Sequence, residues 1–273
     1  MGARSETHSA PAAIWTVART SSAGGLRRGR LLGLLALVGF PVVIALVIWA
    51  FGEGRGGGFR RFTVLVSTAY LSFIVPLVLI FLGTAAFGDE WEAGTGPYLV
   101  GLPVPRAALV LGRWLAALAR GLLLVLPAVV VFYLVNLAPH EGAIVHYLPQ
   151  LAGVLAGLAA VTVGYLAVFV FFGVAVRRCV VTSLLYMLAF EFLLTHLPVR
   201  LAQLSLAFHG RTILWRLTGE ERFIAEIPDE IAADLPTLAA SLTAIGAFTL
   251  VFLVGATLVL RRKQITGEAQ TEE

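Results

Sequence analysis

The residues best able to do chemistry stand in one stretch. It reads Glu90-Trp91-Glu92-Ala93-Gly94-Thr95, then Leu102-Pro103-Val104-Pro105-Arg106, then Leu111-Gly112-Arg113. Acids open it, Gly94 permits a sharp turn, Thr95 can cap the next helical turn, and Pro103 with Pro105 stiffens a second bend. Arg106 and Arg113 bracket Ala107–Leu111, about a turn and a half of helix. A small, stiff, charged protrusion of this kind suits contact with a polar macromolecular partner better than contact with lipid. Catalysis finds no comparable support. Serines, histidines and acids are scattered, and a G-x-S-x-G elbow is absent. A phosphate-binding loop needs G-x-x-x-x-G-K-[ST], yet the only lysine, Lys263, is flanked by Arg262 and Gln264. The chain therefore cannot supply a standard P-loop.

Other polar residues are sparser. Glu191 is an acid inside an apolar block, where insertion at a membrane centre costs about 2.5–3.5 kcal/mol. It falls about 20 Å from the start of that block at 1.5 Å per residue, so it either reaches the far interface, where His196 can pair with it, or lines a path for a substrate. His140, His146, His196 and His209 gather with Glu141 and Glu191 toward one side, but no pair has a spacing such as H-x-x-x-H. They read as interfacial polar residues, and no metal site is expected. Cys179 is alone, so an intrachain disulfide is excluded. Gly153, Gly157 and Gly164 mark one helix face and allow close helix approach.

The elements that must position these residues follow from composition. The chain has 273 residues, 59% hydrophobic and 13% charged, where a soluble domain carries about a quarter charged. The apolar residues come in long blocks, which implies an all-α integral membrane protein. Six spans are expected at about 31–51, 62–87, 115–137, 147–176, 179–197 and 236–260, with Pro76 kinking the second and Arg120 snorkelling from the third. Residues 1–30 form a polar segment in which 12–19 can lie on the membrane as an amphipathic helix. A loop over 199–235 carries helical pieces on or dipping into the outer leaflet, with Trp215 and Phe223 as membrane anchors. Residues 261–273 form a tail.

Nineteen arginines and one lysine give a net charge of +4. They sit at the edges of apolar blocks rather than in a stripe with exposed aromatics, so nucleic acid is not expected as a partner, whereas lipid headgroups are. With both termini in the cytoplasm, inside segments hold thirteen Lys or Arg and outside segments seven, which satisfies the positive-inside rule. Arg55, Arg60 and Arg61 are the exception, on the outer side.

The acidic stretch resembles the membrane subunits of type-2 ATP-binding-cassette (ABC) transporters. Their pattern, close to E-x-E-x-G-T, then P-[VI]-x-R, then G-[KR] before the third span, is met in register by Glu90, Glu92, Gly94, Thr95, Pro103, Arg106, Gly112 and Arg113. Departures are Gly96-Pro97, where helix formers are usual, and Arg113, where Lys is more common. The resemblance implies a short coupling helix between spans two and three that docks on a cytoplasmic ATPase subunit, with ATP and magnesium held there. It further implies a second permease protomer, alternating access in the inner membrane, and export. Glu90, Glu92, Gly94, Thr95, Pro103, Arg106 and Arg113 become the expected coupling residues, and Glu191 a candidate on the pathway. Two other functions are compatible with the sequence: transmission of force or signal to an outer partner without transport, and an ion-coupled secondary carrier.

Overall fold

The computed structural model describes residues 10–23, 28–51, 57–92, 94, 104–140, 142–189, 203–225, 227, 232 and 235–269. Among them the chain is all-helical. Helix α1 (Ala10–Ala23) is followed by α2 (Arg28–Phe51) and by a continuous rod, α3 (Gly58–Ala85). A five-residue helix, α4 (Gly88–Glu92), precedes α5 (Arg106–Leu137). Then come α6 (Ala143–His146), α7 (Leu148–Ala175), α8 (Cys179–Ala189), α9 (Leu206–Thr218) and α10 (Leu238–Ala269). Among the described residues five helices are long and apolar enough to cross a membrane: α2, α3, α5, α7 and α10; α8 is a shorter apolar helix.

The core is built around α7, whose uncharged sequence is buried on nearly all sides. Close crossings come from missing side chains. A Cβ added at Gly83 in α3 would stand 2.7 Å from that of Phe169, and one at Gly173 in α7 would stand 2.9 Å from the Thr84 carbonyl oxygen. The two backbones thus nearly touch, a packing that only small residues allow. Helices α2 and α10 lie outermost and turn Leu35, Phe40, Val43, Leu250, Val251 and Val254 outward, as lipid-facing spans do.

Helix α3 carries a π-helical segment over Val66–Ile74, immediately before Pro76. Proline lacks an N–H and its ring clashes with the carbonyl four residues back. The wider π turn absorbs that conflict. There the Ser72 hydroxyl donates to the Ser67 carbonyl at 3.0 Å, and the Tyr70 hydroxyl donates to Val38 of α2 at 3.0 Å.

Some expectations change. The third crossing has no separate short helix over Ala107–Leu111, because Arg106 already opens the 32-residue α5. Good helix formers run unbroken from Ala107, so nothing ends the first turns. Arg120 is thus well inside a helix, and its guanidinium donates to the Ser21 carbonyl at 3.3 Å, fixing the end of α1. Helix α1 packs along α5, where Ile14 and Val17 close onto Gly112 while Trp15 stays 70% exposed.

The loop after α8 also differs. Helix α9 is seated inside the bundle: Leu206–Leu214 are buried among α3, α7 and α10. Phe223 is fully buried and packs, with Trp215, in the core rather than anchoring a membrane. His209 is buried too, 2.9 Å from the Gln203 carbonyl. Burial pulls its imidazole pKa down, against the pull of that hydrogen bond. The seat for α9 is the glycine face of α7: Gly153 meets Leu217 and Thr218, Gly157 meets Leu214, and Gly164 meets Leu206 and Ile245 of α10.

Candidate functional site

The end of α3 turns directly into α4. The Ala86 and Phe87 amides donate to Gly83 and Thr84 at 3.2 and 3.3 Å, and those of Glu90 and Trp91 donate to Phe87 at 3.2 and 3.3 Å. Gly94, at φ +73°, ends the element with its amide on the Trp91 carbonyl at 3.3 Å, the left-handed stop that glycine adopts without a steric cost. Gly88 lies against the first turn of α8, since a Cβ there would meet the Cys179 Sγ at 2.7 Å.

The next three residues each meet a cation from a different helix. Arg30 of α2 donates to the Asp89 carboxylate at 2.5 Å. Arg113 of α5 grips both oxygens of Glu90, with Nη2 to Oε1 at 2.6 Å. Lys263 of α10 stands 4.3 Å from the centre of the Trp91 ring and donates to the Val174 carbonyl of α7 at 2.6 Å. Successive residues of a helix point about 100° apart, so three in a row address neighbours around most of the circumference. Helices α2, α5, α7, α8 and α10 therefore all converge on the five residues that continue α3.

The three contacts are unequal. The Arg30–Asp89 side chains are 39% and 49% exposed, a setting in which an ion pair is worth about 0–1 kcal/mol. Arg113 is only 12% exposed against 35% for Glu90. It also donates to the Ala86 carbonyl at 2.5 Å and stacks over the buried Phe87 ring at 4.8 Å. A two-pronged guanidinium–carboxylate pair sheltered in this way is the strong one.

The expected coupling residues thus fall into three groups. Glu90 and Arg113 face each other inside the protein. Glu92 ends α4, Gly94 makes the left-handed turn, and Arg106 starts α5. Thr95, Pro103 and Glu191 lie outside the described residues. Sequence reasoning missed Arg30, Asp89, Trp91 and Lys263 as members of the cluster. Arg30 and Lys263 read there only as charges flanking apolar blocks, although a tryptophan between two acids at a helix end was a visible signal.

A bundle of this kind, with five apolar helices of spanning length among the described residues, defines a multi-pass helical membrane protein. Residues 26–202 match the family of ABC-2 family transporter proteins, and the chain belongs to that family, the type-2 ABC permeases. It is similar to the probable ABC transporter permease protein NosY of Pseudomonas aeruginosa, 34% identical over 123 residues, which are 44% of this chain and 42% of the relative. The protein of the same name from Stutzerimonas stutzeri is 28% identical over 122 residues, again 44% and 42% of the two chains. The aligned region spans less than half the length of these relatives.

Proposed function

We propose that this chain is the permease subunit of an ABC exporter. In this reading it sits in the inner membrane with both termini and α4 on the cytoplasmic side, pairs with a second permease protomer, and binds a separate ATPase subunit that holds ATP and magnesium. The observation that carries the reading is the convergence on α4: Asp89, Glu90 and Trp91 are each held by a cation from a different long helix. An ATPase that shifts α4 on closing displaces the ends of α2, α3, α5, α7 and α10 together. That movement is what alternating access requires of a coupling element. Glu92 and Arg106, which end α4 and start α5, are the positions that the family pattern assigns to contact with the ATPase.

The test is purification of the permease from native membranes to see whether an ABC ATPase subunit comes with it, followed by ATP-driven flux in vesicles. Glu92→Ala or Arg106→Ala should dissociate the ATPase or uncouple hydrolysis from flux. Unchanged binding and unchanged flux in both variants would remove α4 from the role. ATP hydrolysis without flux of any solute or lipid would favour a complex that passes force to an outer partner.

A further inference from the structure

Two of the cations on α4 lie within the family match, but Lys263 lies beyond residue 202, near the far end of α10. It is the only lysine among nineteen arginines. Its neighbours Arg261 and Arg262 are exposed while Lys263 turns inward. There its ammonium makes two contacts at once. Val174 is in the last turn of α7, whose final carbonyls have no partner within the helix and carry the negative end of its dipole. Lys263 satisfies that carbonyl at 2.6 Å and lies 4.3 Å from the centre of the Trp91 ring, the aromatic that attracts cations best. A compact ammonium with three donors can serve both partners. Beneath it Leu253, Ala256 and Leu260 of α10 pack with Phe87 and Val174, and Trp91 lies against the same cluster. Apolar packing therefore keeps α10 in place without the charge.

We propose that Lys263 is a positioning residue that makes α7 and α10 move with α4, so that displacement at the ATPase-facing end reaches the opposite end of the bundle. The proposal rests on α4 being the coupling element. Removing the ammonium leaves α4 bound to α2 and α5 through Asp89 and Glu90 but releases its polar hold on α7 and α10.

The test uses the full permease–ATPase complex in lipid nanodiscs, with spin labels at Arg60→Cys and Thr237→Cys, two exposed positions at the end away from α4. The distance between them is measured without nucleotide and after trapping with ATP, magnesium and vanadate. Lys263→Gln should lower the population that shifts on trapping by about five-fold or more, the scale of a coupling free energy between sites. Lys263→Arg, which can still stack on Trp91 and donate to Val174, should restore most of it. Trp91→Leu reads the same contact from the other side and should behave as Lys263→Gln. A full shift in Lys263→Gln, or no gain from Lys263→Arg, would overturn the proposal while leaving α4 as the docking element. Loss of the ATPase from Lys263→Gln as complete as from Glu92→Ala would also overturn it, placing Lys263 in docking instead of transmission. Absence of any ATPase from the unmodified complex would refute the coupling reading and this inference with it.

Discussion

Two short helices lie at opposite ends of this bundle and are held in opposite ways. Helix α4 is gripped largely by charge, through an exposed ion pair, a sheltered one and an ammonium over an indole, with Trp91 also set against an apolar cluster. Helix α9 is gripped mainly by shape, with Leu206, Leu214 and Leu217 set against glycines of α7, while Arg211 donates to the Ser72 hydroxyl at 2.9 Å and Arg216 to the Leu235 carbonyl at 3.1 Å. Polar contacts at a membrane boundary can be made and broken as water and partners compete for them. Close-packed apolar contacts have no such substitute and hold one arrangement. In the proposed coupling role, the difference suits an element that is pushed at one end and a helix that stays seated at the other.

Glu90→Ala is the harshest test of the charged end, because it strands a nearly buried guanidinium with only the Ala86 carbonyl and the Phe87 ring. We expect a loss of about 2–4 kcal/mol, somewhat under the range for fully buried pairs, read as a lower thermal midpoint of the purified permease. Adding Arg113→Leu should recover part of it. At the shape-held end, a Cβ on Gly157 would stand 2.6 Å from Leu214 Cδ2. Gly157→Ala should cost about 1–3 kcal/mol as overpacking does, and Leu214→Ala in the same chain should relieve the strain. If Gly157→Ala were the more damaging of the two, α9 rather than α4 would be the more tightly determined element. Asp89→Asn should have the smallest effect, under about 1 kcal/mol. The difference it makes should fade further at high salt, since exposed charges are screened.

The apolar blocks made the long helices legible, because continuous hydrophobic runs of span length have few other uses. The close contacts were not legible. Arg30 and Asp89 are 59 positions apart, and Lys263 is far from both Trp91 and Val174 in the chain. A charge beside an apolar run looks the same whether it faces headgroups or a neighbouring helix. Gly94 was readable since a glycine after a short acidic helix has a conformational reason to be there. The α9 region misled for a physical reason: its mixture of arginine, tryptophan and leucine suits a lipid interface as well as a groove, and the bulk of α7 and α10 decides between them. Nor did any sequence feature mark the π segment, beyond a proline placed just after it.

Helix α5 is longer than a membrane needs. Its 32 residues measure about 48 Å at 1.5 Å each, against a hydrocarbon layer of about 30 Å. Crossing upright, it would leave roughly 18 Å clear of the hydrocarbon. Arg113 sits on that free length and α1 lies along it as a splint. Stiffened in this way, the spar cannot absorb a sideways load by bending near its tip. A sideways load on such a spar would be carried into the membrane as a tilt of the whole helix.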